Sequence, residues 1–147
     1  MKKVLIAYSS RTGNTEKMAN YIAEGVRFTG NEVVVKRVEE IKKPEEVQGY
    51  DAYIFGSPTY HRDIIAPMKT FLFLCQKAGL EGKLAGAFGS YTHSGDAPKM
   101  IIDTMSYVLK MKPTALGSFN LTEDKIDTPE GIKACQQYGK AIAEELS

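Results

Sequence analysis

Residues 4–18 read VLIAYSSRTGNTEKM: an unbroken apolar run, a cluster of hydroxyls and small residues, then the opening of an amphipathic pattern. An apolar run without alternation suits a parallel strand buried on both faces. The SSRTGNT that follows, residues 9–15, joins this strand to a helix. The helix's free amides and positive dipole end therefore converge with the hydroxyls of Ser10, Thr12 and Thr15 on one point. A phosphate fits there. Gly13 lets the backbone approach an anion closely, and Asn14 can cap the helix or donate through its amide. Arg11 is the one charge in the loop, free either to meet the phosphate or to point outward toward a partner. One glycine and no following lysine match neither G-x-x-x-x-G-K-[ST] nor G-x-G-x-x-G. The expected ligand is a terminal phosphate monoester held mostly by neutral donors.

Outward from this stretch, strand-like runs recur: KKVLIAY at 2–8, EVVVKRV at 32–38, DAYIFGS at 51–57, KLAGAFGS at 83–90 and TALGSFNL at 114–121. EVVVKRV is more polar than its neighbours and suits an edge. Helical patterns alternate with them. Met18, Ile22 and Val26 make one stripe and Ile101, Met105 and Leu109 another. A third helix fits APMKTFLFLCQKAG at 66–79, and Thr128 and Pro129 open a fourth whose Ile132, Cys135 and Ile142 face inward. Alternating strands and helices predict an α/β protein, a three-layer α/β/α sandwich around a five-stranded parallel sheet. With order 2-1-3-4-5 a crevice opens at the carboxyl ends of strands 1 and 3, where ligands bind. A single domain over residues 1–147 is expected.

Composition narrows the function. Formal net charge is +1 and neither sign forms a long run, so there is no electrostatic footprint for nucleic acid. The amino-terminal apolar run is too short for a signal peptide and FLFLC at 71–75 cannot span a bilayer, so no membrane association and a cytoplasmic location are expected. Cys75 and Cys135 have no metal or redox spacing and are expected as buried thiols.

Two further loops reach the same sheet edge as SSRTGNT. In GSPTYHRDIIAP, Pro58 stiffens the strand exit and Thr59, Tyr60 and His61 follow; in AFGSYTHSGDAP, Ser90, Tyr91, Thr92, His93, Ser94 and Gly95 precede a helix. Aromatic loops on either side of a phosphate loop suit a planar heterocycle with a phosphorylated tail. Two histidines without a carboxylate cluster do not make a metal site. No nucleophile, base and orienter set can be assembled, so no catalytic residue is expected.

With SSRTGNTEKMA, GSPTYHRDIIAP and AFGSYTHSGDA in place, the whole chain resembles the flavodoxins, and the latter two segments are most similar to the flavodoxin domain of the A-type flavoproteins, or flavodiiron proteins. The resemblance implies a flavodoxin-like fold and non-covalent FMN, its phosphate in the loop Ser10–Thr15 and its ring system between residues 58–61 and 90–95. It also implies an electron carrier working between redox partner proteins, donor and acceptor. The alternative is an FMN-dependent NAD(P)H or quinone reductase, for which a dimer would complete the pocket; a carrier is expected as a monomer. A phosphate-ligand binding module without redox chemistry is the third reading.

Three departures from the flavodoxin pattern bear on the chemistry. Many flavodoxins are strongly acidic, which disfavours the fully reduced anionic flavin; this chain is nearly neutral, with Arg11, His61, Arg62 and His93 against Asp63 and Asp96 in the candidate loops. A less negative second reduction potential is expected. His61 stands where flavodoxins often place a glycine, making a positive-φ turn costlier. GSYTHSG replaces G-S-Y-G-W-S-G, leaving Tyr91 or His93 as the outer stacking residue.

Overall fold

The computed structural model describes residues 1–146; Ser147, the end of the expected domain, lies outside the described residues. Five strands make one parallel sheet: β1 (Lys3–Tyr8), β2 (Glu32–Arg37), β3 (Ala52–Gly56), β6 (Leu84–Tyr91) and β7 (Lys112–Thr122). Their order is β2-β1-β3-β6-β7, the 2-1-3-4-5 order predicted for the five sheet strands. Two more strands, β4 (Thr59–Tyr60) and β5 (Asp63–Ile64), form a separate antiparallel hairpin. The helices are α1 (Asn14–Arg27), α2 (Ala66–Cys75), α3 (Ala97–Asp103) and α4 (Pro129–Glu145).

The apolar stripes decide which face each helix covers. One face of the sheet packs Leu5, Tyr53, Phe55 and Ala87 against Met68 and Phe71 of α2 and Ile101 of α3. The other packs Val4, Ile6, Ile54 and Phe88 against Met18 and Ile22 of α1 and Cys135 and Ile142 of α4. Helices on both faces require the central strands to be apolar where they are covered, as β1 is from Val4 onward and β3 is along its length. Thr128 caps α4 as expected, accepting the Gly131 N–H at 3.1 Å. The helices α1 and α4 meet backbone to backbone. A Cβ on Gly25 would lie 1.8 Å from the Gln136 carbonyl oxygen, and one on Gly139 would lie 2.0 Å from that of Ile22. Only glycine permits this approach.

Beyond the helix expected over 66–79, which ends at Cys75, three elements differ from the sequence expectation. The GDAPKMIIDTMSYVLK pattern forms a regular helix only to Asp103 and then a wider turn over Thr104–Val108, in which the Leu109 N–H reaches the Thr104 carbonyl at 3.1 Å. Its apolar stripe stays buried because Met105 and Leu109 still face the sheet. The last sheet strand runs over residues 112–122, not 114–121: its register jumps from Ala85↔Pro113 to Ala87↔Ser118, a bulge made possible by Gly117 at φ +71°. The Tyr138 hydroxyl braces it, accepting the Ala87 N–H at 3.0 Å and donating to the Gly117 carbonyl at 2.7 Å. The hairpin β4–β5 is the third, two residues per strand being too short for any periodicity to register.

Candidate functional site

Parallel strands bring three loops to the carboxyl edge of the sheet. The first follows β1. Its turn is closed by the Gly13 N–H donating to Ser10 Oγ at 3.0 Å, and Asn14 Nδ2 donates to Thr12 Oγ1 at 3.2 Å. Gly13 sits at φ +95°, a left-handed conformation that favours glycine, and offers no side chain to cap α1. The first intrahelical bond runs from the Lys17 N–H to the Gly13 carbonyl, so the amides of Asn14, Thr15 and Glu16 precede the helical ladder. Ser9 is fully buried and its Oγ lacks a partner. Uncapped amides beside an orphaned buried hydroxyl are what an anion would satisfy.

Thr15 and Ser90 are each only 1% exposed and share a hydrogen bond at 3.3 Å between their hydroxyls. The phosphate-loop candidate is thereby tied to the end of β6. Tyr8, at the end of β1, donates to Glu16 at 2.9 Å, and its phenol is pushed up to about 12 by burial and then by that carboxylate.

The second loop is held by Ser57, which sequence reasoning passed over. Its N–H donates to the Phe88 carbonyl at 3.1 Å, and its hydroxyl donates to the Pro58 carbonyl at 2.9 Å. Thr59 Oγ1 accepts the Ala97 N–H at 3.0 Å, fixing the loop to the start of α3. Tyr60 then enters the hairpin, whose two central residues are His61 at φ +50° and Arg62 at φ +62°. Positive φ at both positions is the turn whose twist matches a tight hairpin, although it favours Asn-Gly over His-Arg. The penalty foreseen for His61 is thus present, in a turn made by two non-glycine residues. Asp63 is held below the usual carboxylate range, first by its hydrogen bond with Lys69.

In the third loop, Ser94 Oγ donates to Asp96 Oδ2 at 2.9 Å, and Arg62 approaches the same oxygen at 3.6 Å. Gly95 is pinned from β7: Asn120 Nδ2 donates to its carbonyl at 2.8 Å, and a Cβ there would strike the Asn120 side chain at 2.7 Å. Asn120 is the second residue missed. Its signal was a polar amide within TALGSFNL, where a strand interior disfavours it.

Between the second and third loops lies a cleft of about 290 Å³ lined by Thr59, Tyr60, His61, Arg62, Thr92, His93 and Ser94. His93 therefore lines the same cleft as Tyr60. Tyr91 lines the adjoining space with Asn14, Thr92, Thr122 and the charged Glu123, Asp124 and Lys125. The Arg11 guanidinium stacks over the Tyr60 ring, 4.9 Å from its centroid, and the side chain is exposed. The arrangement offers an anion cradle at one end and a slot flanked by a phenol and an imidazole at the other.

The flavodoxin domain family matches residues 5–130. A curated relative from Archaeoglobus fulgidus, named NAD(P)H dehydrogenase (quinone), is 34% identical; the match covers 67% of this chain and 64% of the relative, so it spans less than two thirds of that protein. Among solved structures, a flavodoxin from the domain Archaea is 28% identical with a TM-score of 0.87, the match covering 98% of each chain. The flavodiiron core from Synechocystis sp. PCC6803 is 26% identical with a TM-score of 0.84, and the match covers 99% of this chain but 36% of that one.

Proposed function

The chain belongs to the flavodoxin family, whose cofactor is FMN, and from that premise we propose that it is a low-potential electron carrier between partner proteins. Bound FMN supplies reversible one- and two-electron chemistry; the chain supplies binding, orientation and charge. The single observation that carries the reading is the convergence of an uncapped helix start and an aromatic-lined cleft at one sheet edge.

The amides of Asn14, Thr15 and Glu16, with the hydroxyls of Ser10 and Thr12, hold the phosphate. Pro58 and Thr59 set the direction of the second loop, and Tyr60 and His93 flank the ring system. Ser90 holds Thr15 in place, while Asn120 holds Gly95 and with it the wall formed by Thr92, His93 and Ser94. Residues 1–147 are read as one FMN-binding domain. A cytoplasmic monomer fits this role, and among the described residues no helix is long and apolar enough to cross a membrane.

The name of the Archaeoglobus fulgidus relative favours a second reading, an FMN-dependent NAD(P)H or quinone reductase. Stepwise anaerobic reduction of the FMN-loaded protein, followed by its visible spectrum, tests the cofactor and the carrier role together. A chain that takes up no FMN refutes both readings. Sustained NAD(P)H oxidation with quinone by the purified protein alone selects the reductase.

A further inference from the structure

We propose that Tyr8 is a positioning residue for the phosphate: its phenol holds the Glu16 carboxylate away from the start of α1 and so keeps the anion cradle open. The inference rests on the FMN reading and adds a residue that none of the three loops contains. Glu16 is the third residue of α1, whose cap is Gly13. A glutamate at this position is the one that reaches back toward the helix start in a capping box. Gly13 has no side chain of its own to occupy the amides there. The Glu16 carboxylate is therefore an anion tethered beside the anion site, and a phosphate must compete with it unless something holds it elsewhere.

Tyr8 does hold it elsewhere. The Tyr8 hydroxyl donates to Glu16 Oε2 at 2.9 Å. The Gly13 N–H, which a capping glutamate would take, donates to Ser10 Oγ at 3.0 Å instead. Tyr8 is a firm anchor because it is only 5% exposed and belongs to the same core cluster as Met18 and Ile22 of α1. Arg37 is its register partner on β2, and the Arg37 guanidinium lies 5.6 Å from the centre of the phenol ring. The phenol is thus fixed between a cation on β2 and a carboxylate on α1. Burial, and then Glu16, push the hydroxyl up to about 12, so it stays protonated and remains a donor at neutral pH. With the carboxylate tied to Tyr8, the amides of Asn14, Thr15 and Glu16 stay available to an incoming phosphate.

Phosphate-specific binding separates this role from a merely structural one. The wild-type chain is compared with Tyr8→Phe, Glu16→Gln and the double variant Tyr8→Phe/Glu16→Gln. Phenylalanine keeps the buried ring and removes only the hydroxyl. Dissociation constants for FMN, and for riboflavin, which lacks the phosphate, are read from quenching of flavin fluorescence. In Tyr8→Phe the affinity for FMN should fall about 3–10-fold, while that for riboflavin should change less than about twofold. In the Glu16→Gln background the same substitution should change FMN affinity less than about twofold, because no carboxylate is left to enter the cradle. Unchanged FMN affinity in Tyr8→Phe, an equal loss for FMN and riboflavin, or the same loss of FMN in the Glu16→Gln background would each overturn the proposal.

A second readout needs no flavin. Titrating the nitrogen-15-labelled chain with inorganic phosphate should shift the amides of Asn14, Thr15 and Glu16, with a midpoint about 3–10-fold higher in Tyr8→Phe than in the wild type. Equal midpoints in the two chains, or amides that respond in neither, refute the positioning role. A wild-type chain that takes up no FMN refutes the carrier reading, and the phosphate titration then decides the role of Tyr8 by itself.

Discussion

Gly89 is where the cleft is most sensitive to a single methyl group. It lies in β6, just before the third loop, and a Cβ there would sit 2.2 Å from the Ser57 carbonyl oxygen and 3.0 Å from Pro98 Cγ. An ordinary carbon–oxygen contact is about 3.3 Å, so in Gly89→Ala the exits of β3 and β6 must part by about 1 Å. That separation stretches the bond from the Ser57 N–H to the Phe88 carbonyl, now 3.1 Å, beyond useful range. Overpacking against backbone costs ~1–3 kcal/mol and the lost bond about 1 kcal/mol more, giving a destabilisation of roughly 2–4 kcal/mol in urea titrations of the flavin-free chain. The same displacement moves the two walls of the cleft apart. FMN affinity, measured by quenching of flavin fluorescence, should fall at least ~10-fold, or about 1.4 kcal/mol. Gly86→Ala is the control. Its Cβ would meet Ile142 Cδ1 at 2.7 Å and Tyr138 Oη at 3.1 Å, both side-chain ends on α4 and remote from the cleft. It should destabilise the chain by ~1–2 kcal/mol and leave FMN affinity within about twofold. Wild-type affinity in Gly89→Ala, or an equal loss in Gly86→Ala, would refute the placement of FMN between these loops.

Asn120→Asp should weaken FMN binding more than Asn120→Ala, because it sets a carboxylate oxygen against the Gly95 carbonyl where the alanine only removes a donor; equal effects in flavin titrations would contradict the bracing role. His93→Trp should tighten FMN binding about 3–10-fold through stacking, and as the only tryptophan in the chain its fluorescence should be quenched by the flavin. Unquenched tryptophan with unchanged affinity would remove His93 from the cofactor wall. Burial pushes both thiols, Cys75 and Cys135, up from 9.0 to about 12. Raised values mean that this stability is whole below pH 9.0 and is lost as pH climbs toward about 12, at up to ~1.4 kcal/mol per pH unit for each thiol. Urea midpoints across that window should decline less steeply in Cys75→Ala/Cys135→Ala, and an identical decline would assign the effect to other groups.

The sheet was legible because β1, β3 and β6 are continuous apolar runs and the helix stripes keep their four-residue spacing. The strand-to-helix junction at residues 9–15 was legible too, since an apolar run passes there into a hydroxyl-rich loop and then an amphipathic stripe. Other features escaped for definite physical reasons. The bulge in β7 breaks register within the strand, so TALGSFNL showed neither clean alternation nor its full length. The turn over Thr104–Val108 keeps its side chains in an acceptable stripe while changing the hydrogen-bond ladder, which composition does not report. Ser57 and Asn120 act through backbone partners, Phe88 and Gly95, that only the fold brings near. That Tyr91 and His93 line different spaces depends on the direction in which successive residues leave β6, and the stacking of Arg11 on Tyr60 needed the second loop in place beside the first.

The clasp between Gly25 and Gly139 makes the first turn of α1 answer to a distant part of the chain. The sheet alone still receives Met18 and Ile22, so α1 does not need α4 in order to form; what α4 adds is a second surface that fixes the angle of the helix. In Gly139→Ala a methyl group pries the two helices apart, and flavin titration should show weaker FMN binding at loops that the substitution never touches.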